Sequence, residues 1–270
     1  MGIKRIGIIG AGGRMGKACI HEVIENKNCT LVAATDITQS PLIGRDAGEI
    51  VGADAQGILI TNDAEAAIAA SDAVIEFTLP EPTVAHVALT AEASVAHIIG
   101  TTGLTDDQEA ALKAAGEKTV VMHAPNMSLA VNLLFALTRQ VAATLNDDFD
   151  IEIYEMHHKH KIDAPSGTAV GLGRAAAMGR GVNIDDVARW SRHGITGDRK
   201  HGDIGFASLR GGNVVGDHTV TFAAEDERLE ISHKAQSRQI FARGAIHAAQ
   251  WSVGKDAGFY NMFDVLGIDN

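Results

Sequence analysis

The chain is short of several things, and each shortage excludes something. Its 270 residues contain only two cysteines, Cys19 and Cys29, with no CxxC pair between them. That leaves no basis for a disulfide framework. Both cysteines read as reduced, and Cys19 as a small buried residue on the first helix. No apolar run is long enough to span a bilayer, and the N-terminus lacks the charged-then-apolar order of a secretory signal. The expectation is a cytoplasmic protein with no membrane partner. Positive charge is scarce too: 23 Lys and Arg stand against 34 Asp and Glu, a formal net charge of −11 at pH 7. That balance argues against nucleic acid as the main partner. It also makes any local cluster of cations informative.

What is present is an alternation. Ile6–Ile9, Leu31–Ala34, Ala73–Phe77, His97–Ile99 and Val120–His123 read as buried strands. Met15–Glu25, Thr83–Ala93 and Thr105–Ala115 read as helices, with Pro82 suited to a first helical position and Thr105/Gln108 at capping-box spacing. Strands and helices in turn predict an α/β fold, a Rossmann-type doubly wound parallel sheet over residues 1–128. Between Asp36 and Ile58 the pattern fades into a Gly- and Asp-rich stretch. This is either a mobile loop or lid beside a cofactor, or a plain surface excursion.

From about Asn132 the texture changes. Asn132–Leu145 and Thr168–Gly179 read as helices. Ile151–His157, Phe206–Arg210, Val214–Phe222 and Arg228–His233 read as strands, the last three with no helix between them. Residues 129–238 are therefore expected to form a second, α+β domain with a mostly antiparallel or mixed sheet. Gln239–Val253 is a long amphipathic helix, and 239–270 are expected to return to the first domain.

Gly10-Ala11-Gly12-Gly13-Arg14-Met15-Gly16 follows a strand and opens a helix. Glycines there allow a tight turn and let a pyrophosphate approach the backbone, while the helix N-terminus offers N–H groups. The spacing is GxxGxxG rather than GxGxxG. Asp36 ends the second strand, where its carboxylate suits the adenosine ribose of a dinucleotide. A carboxylate at that place repels a 2′-phosphate, and Ile37-Thr38-Gln39 supplies no Arg to hold one. NADH is expected as the preferred cofactor, with NADPH tolerated. Gly100-Thr101-Thr102 and Ala124-Pro125-Asn126-Met127 follow later strands and offer backbone contacts to the nicotinamide half.

Glu155-Met-His-His-Lys-His-Lys-Ile-Asp-Ala-Pro-Ser-Gly-Thr168 concentrates imidazole and ammonium groups in an acidic chain. A metal site is one reading, but interleaved lysines repel a cation and no cysteine or HExxH accompanies the histidines. A solvated charged strand end is another. The favoured reading is an anion-binding and proton-donating site. Lys161 gives fixed charge, a histidine donates a proton near neutral pH, and the N–H groups of Ser166, Gly167 and Thr168 bind a carboxylate as a helix begins, with hydroxyls from Ser166 and Thr168. Period-2 logic puts His157 and His158 on opposite sides of a continuing strand and cannot say which reaches substrate. A second basic stretch, Arg189 to His201, reads as a solvated loop or subunit contact.

At these residues the chain resembles the 4-hydroxy-tetrahydrodipicolinate (dihydrodipicolinate) reductase family. The matching pieces are GAGGRMG at Gly10–Gly16, GTTG at Gly100–Gly103, APNMS at Ala124–Ser128, EMHHKHKIDAPSGTA at Glu155–Ala169, RGGNVVGDHTV at Arg210–Val220 and FYNMFDVLG at Phe259–Gly267. The resemblance implies NAD(P)H-dependent reduction of a cyclic dicarboxylate imine on the diaminopimelate route to lysine. It implies His157 as general acid/base and Lys161 as proton donor. It implies substrate binding by His158, Gly167 and Thr168 with Ser166 beside them. It implies dinucleotide contacts from Gly10 to Met15, Asp36, Gly100 to Thr102 and Ala124 to Met127. It implies a homotetramer assembled through the second domain, and no metal. Ile37 departs from the Arg that many relatives carry after the acidic residue, which counts against efficient NADPH use. A semialdehyde dehydrogenase would need a nucleophilic cysteine, and Cys19 and Cys29 both lie far along the chain from the histidine–lysine segment. A non-catalytic NAD sensor would need no proton donor at all.

Overall fold

The computed structural model describes residues 2–269. In chain order the first part contains β1 (Lys4–Ile9), α1 (Arg14–Glu25), β2 (Cys29–Thr35), a short 3-10 turn (Glu49–Val51), α2 (Ala64–Ala69), β3 (Ala73–Glu76), α3 (Pro80–Ala93), β4 (Ala96–Ile99), α4 (Asp106–Gly116) and β5 (Val120–His123). The middle contains α5 (Leu129–Thr144), β6 (Asp150–His157), α6 (Gly167–Arg180), α7 (Ile184–Val187), β7 (Ala188–Arg189), β8 (Ile204–Arg210), β9 (Gly216–Ala223) and β10 (Arg228–Ala235). The chain closes with α8 (Gln239–Ser252), β11 (Gly258–Tyr260) and α9 (Met262–Leu266). It divides into two compact units. One runs to Leu129 and resumes at Gln239; the other is Ala130–Arg238.

The first unit is built on a six-stranded sheet in the order β11-β5-β4-β3-β1-β2, every pair parallel. Its strands are short runs such as Ala73-Val-Ile-Glu76, buried throughout, as expected when helices cover both faces. The order reverses beside β1, so the crevice past the carboxyl ends of β1 and β3 is the switch point at which such sheets bind ligands. Gly10 turns the chain there with φ +80°, and a Cβ on it would stand 2.8 Å from Thr78 Cγ2. The return of α8 to this unit follows from its Ala-rich face, which packs on α1, β3 and β4.

Two local expectations are refined. Thr105 does cap α4 reciprocally with Gln108. Pro82, however, is not the first residue of α3; Pro80 holds that position, where its missing N–H costs nothing. The Asp36–Ile58 excursion is anchored from within. The Asp46 carboxylate accepts N–H groups from Gly48, Gln56 and Gly57 at 2.7–3.0 Å, and Ala47 and Ile60 sit in the core. Cys19 and Cys29 are free and buried, and burial pushes the Cys19 thiol up to about 12.

The second unit is a mixed five-stranded sheet, β10-β9-β6-β8-β7, with β6 parallel to β8 and antiparallel to β9. Ile151, Ile153, Phe206, Val220 and Phe222 face one side, where they pack with Leu134, Leu172 and Ala176 from α5 and α6. Tyr154, Ala207 and Leu209 lie on the other side and are exposed, while Thr219 is nearly buried. The second basic stretch is tied to β6: Arg192 grips Glu152 with both terminal nitrogens at 2.7 and 2.8 Å, and Arg199 reaches Asp150 and Glu152.

Candidate active site

In the first unit every residue assigned to the dinucleotide lies past the carboxyl end of a strand: Gly10–Met15 after β1, Asp36 after β2, Gly100–Thr102 after β4, Ala124–Met127 after β5. All the strands run the same way, so these turns share one edge of the sheet. The amides of Gly10 and Ala11 donate to Thr35 O at 2.9 and 2.8 Å, so these two residues shape the turn. The Gly13 amide donates to Gly10 O at 3.1 Å, so the groups left to meet a phosphate are those of Gly12 and the first turn of α1, Arg14 and Met15. A Cβ on Gly12 would collide with Asp36 Oδ2. Ala11, Thr101, Ala124 and Met127 are buried, which takes their side chains out of reach of a ligand on the surface.

A cavity of about 240 Å³ opens beside this turn, lined by Gly10, Asp36, Ile37, Thr78, Leu79 and His86 among others. The Asp36 carboxylate stands at its wall, accepting from Ile37 N–H at 3.0 Å and from the Ser40 hydroxyl at 2.6 Å. Apolar walls, one carboxylate acceptor and a glycine turn at a helix N-terminus fit an adenosine with its ribose and pyrophosphate.

In the second unit the site is built around the end of β6. Glu155 faces the helix side of the sheet and is 1% exposed. Its carboxylate accepts from His157 Nδ1 at 2.6 Å, from both terminal nitrogens of Arg210 at 2.8 and 2.9 Å, and from Ser166 N–H at 3.1 Å. Burial alone would raise the Glu155 carboxyl. The hydrogen bonds from Arg210 and His157 outweigh it and hold the group below its usual range. The carboxylate therefore only accepts, His157 donates through Nδ1, and Nε2 is the nitrogen left for chemistry.

β6 ends at His157, so His158 belongs to the following turn, and the strand alternation expected for the pair stops between them. Burial, with the positive charges of Arg238, His157, His160 and Lys161, pushes His158 below the ordinary imidazole value. Its Nδ1 is buried with no partner among the described residues. Lys161 Nζ lies 2.8 Å from both oxygens of Asp163, whose carboxyl the contact holds low.

α6 starts as its sequence implied, with Ser166 as N-cap accepting from Ala169 N–H at 3.2 Å. The expectation that Ser166 offers a hydroxyl to substrate is corrected. Ser166 is 2% exposed, its Oγ is spent on Ala169 and on His218 Nε2 at 3.0 Å, and its N–H on Glu155. It builds the turn that presents Gly167 and Thr168. No atom lies within 4 Å of where a Gly167 Cβ would stand, so its N–H is approachable. His218 packs edge-on against His157 with ring centroids 5.1 Å apart, and burial and that neighbour lower its pKa to about 4.

Glu155, Arg210 and His218 were not singled out from the sequence. Alternation places Glu155 on the side of Ile151 and Ile153, but nothing local announces a partner 55 residues away. Among the described residues no cluster of three His, Cys, Asp or Glu is arranged to hold a metal ion. No helix is long and apolar enough to cross a membrane.

Comparison with known proteins decides the family. The model described as dihydrodipicolinate reductase, N-terminus, matches residues 4–127, and that for the C-terminus matches 130–266. The chain belongs to the dihydrodipicolinate reductase family. It is 51% identical over 268 residues to a 4-hydroxy-tetrahydrodipicolinate reductase of Rhodopseudomonas palustris, covering 99% of each chain. It is 52% identical over 266 residues to one of Ruegeria pomeroyi, covering 98% of this chain and 99% of the other. Among solved structures, dipicolinate-bound dihydrodipicolinate reductase from Paenisporosarcina sp. TG-14 shares the fold, with a TM-score of 0.78 at 24% identity over 97% of this chain and 98% of that one. Family membership makes this an oxidoreductase with an N-terminal nucleotide-binding unit for NAD(P)H.

Proposed function

We propose that the chain reduces 4-hydroxy-2,3,4,5-tetrahydrodipicolinate to 2,3,4,5-tetrahydrodipicolinate, with loss of water, on the diaminopimelate route to lysine. The observation that carries this is His157, held through Nδ1 by the buried Glu155 carboxylate that also takes the Ser166 N–H at the start of α6. Bound nicotinamide supplies the hydride. One proton is consumed per turnover, and His157 Nε2 or Lys161 delivers it as negative charge develops on the ring. The two carboxylates of the substrate are held by Lys161, His158 and the Gly167–Thr168 amides, with Asp163 giving up its hold on Lys161. NADH is the preferred cofactor, because Asp36 opposes a 2′-phosphate and Ile37 supplies no compensating charge. The working form is a homotetramer assembled through the exposed sheet face of Tyr154 and Leu209, a face of the kind that pairs with another copy.

The test is NADH oxidation followed optically, with substrate generated in place from pyruvate and aspartate semialdehyde by the preceding synthase. Lys161→Ala should lower turnover strongly and leave NADH binding nearly intact. A protein that binds NADH but never oxidises it in this mixture would overturn the reading.

A further inference from the structure

We propose that Glu76 is a positioning residue for the dinucleotide: its buried carboxylate locks the tips of β3 and β4 into one surface, with His97 as its buried partner. The proposal rests on the dinucleotide reading above and concerns residues that reading does not use.

Glu76 is the last residue of β3, in the middle of the six-stranded sheet, and is 0% exposed. Oε2 meets His97 Nε2 at 2.9 Å. Oε1 accepts from the Thr78 hydroxyl and from His86 Nδ1, the latter at 2.8 Å. Burial would raise this carboxyl, but the bonds from His86 and His97 hold it at about 2. Thr90 Oγ1 lies 3.2 Å from His97 Nδ1 and 3.0 Å from Val87 O, so both ring nitrogens of His97 are engaged and the ring is fixed against the carboxylate. A carboxylate with no exposure is costly to bury and rarely repays that cost in stability, which calls for another reason.

The reason lies in what the carboxylate reaches. Thr78 Oγ1 contacts Thr83 Oγ1 at 3.3 Å, and Thr83 Oγ1 contacts Thr101 Oγ1 at 2.8 Å. Thr78 gives its hydrogen to Glu76, so Thr83 is the donor in the first contact, with Leu79 O at 2.9 Å as a second acceptor for the same hydrogen, and Thr101 is the donor in the second contact. Thr101 O accepts from His123 Nε2 at 3.0 Å, and Gly100 N–H donates to Glu76 O at 2.8 Å. Both polar groups of the Thr101 side chain and carbonyl therefore point inward, and the GTTG turn presents its remaining main chain outward. The same carboxylate holds His86 and Thr78, which line the cavity beside Asp36. One buried group fixes surfaces on both the adenosine and the nicotinamide side of the cofactor edge.

Three variants test this, read by NADH fluorescence titration and steady-state kinetics on the full chain. Glu76→Gln can keep every bond: its oxygen accepts from Thr78 and His86, and its amide donates to a His97 that needs only one N–H. NADH affinity should stay within about twofold of the wild type. Glu76→Leu/His97→Leu removes both partners together, which avoids a stranded buried polar group. It should bind NADH about tenfold more weakly, the scale of one hydrogen bond to a charged group. KM for NADH should rise equally, with kcat at saturating NADH and dipicolinate binding little changed. Thr83→Val leaves the Glu76–His97 pair in place and removes the hydroxyl that joins Thr78 and Leu79 O to Thr101; it should weaken NADH severalfold if the lattice positions the turn. Wild-type NADH affinity in Thr83→Val or in the double variant overturns the proposal, as does a Gln variant as weak as the double. A wild-type protein that fails to bind NADH sinks the dinucleotide reading itself.

Discussion

His157 donates through Nδ1 to the buried carboxylate of Glu155 at 2.6 Å, and the same carboxylate holds Arg210 and the N-cap of α6. The ring proposed as acid/base and the turn proposed to bind an anion are thus set by one group. Glu155→Gln keeps the shape and removes the carboxylate that orients the ring through Nδ1. Turnover should fall about a hundredfold, a typical share for positioned proton transfer, while KM for NADH stays put. Glu155→Ala should also cost about 3 kcal/mol of stability, because Arg210 loses its partner. Unchanged kcat in the Gln variant would detach Glu155 from the chemistry.

Gly216 lies behind the other edge of the ring. A Cβ there would stand 2.9 Å from His157 Nε2 and 3.5 Å from His218 Cε1. Gly216 has no positive φ, so alanine is not strained on the backbone. Gly216→Ala should therefore fold and lose turnover by about tenfold or more through displacement of the ring. Matching melting temperatures alongside reduced kcat would bear this out; a fully active variant would mean the ring has room.

His218 makes stability depend on pH with a defined sign. Its folded pKa is lowered from 6.5 to about 4. Above 6.5 the ring is neutral folded and unfolded. Between 6.5 and about 4 only the unfolded chain takes the proton, so stability falls as pH falls, by about 3 kcal/mol in total. Glu76 acts lower: its contribution is present above 4.5 and is lost as pH falls toward about 2. Chemical denaturation of wild type and His218→Gln across that range should give curves that converge toward acid pH. Parallel curves would show that the ring does not titrate as its burial implies.

What was legible in the chain had local causes. Buried parallel strands read as short apolar runs, and the helix after Pro165 announced itself through Ser166. The glycine loop fell in a strand–turn–helix context, where a tight turn is needed. What escaped needed partners far away in sequence. Glu155 and Glu76 fall at positions the strand patterns make buried, but their partners Arg210 and His97 lie far along the chain and are brought to them only by the sheets. Ser166 looks like a ligand donor until His218 claims its hydroxyl. The short elements α2, α7, β7 and β11 carry too few residues for a period to show, and tertiary packing decides them.

Cofactor choice should turn on the rim of the Asp36 cavity. Ile37 is 67% exposed beside Asp36, and Leu79 is exposed across the same cavity. Neither can neutralise a 2′-phosphate, which would meet the Asp36 carboxylate directly. Ile37→Arg adds a planar cation at a position open enough to hold it, able to bind phosphate with two N–H groups. The kcat/KM for NADPH should rise about tenfold relative to that for NADH, with most of the change in KM and little in kcat, since the substituted residue belongs to the adenosine side. Ile37→Gln, which adds length and polarity without charge, should leave the ratio near its starting value. Should the wild type already use NADPH as efficiently as NADH, the electrostatic argument from Asp36 and Ile37 fails, and the Arg variant would then have nothing to correct.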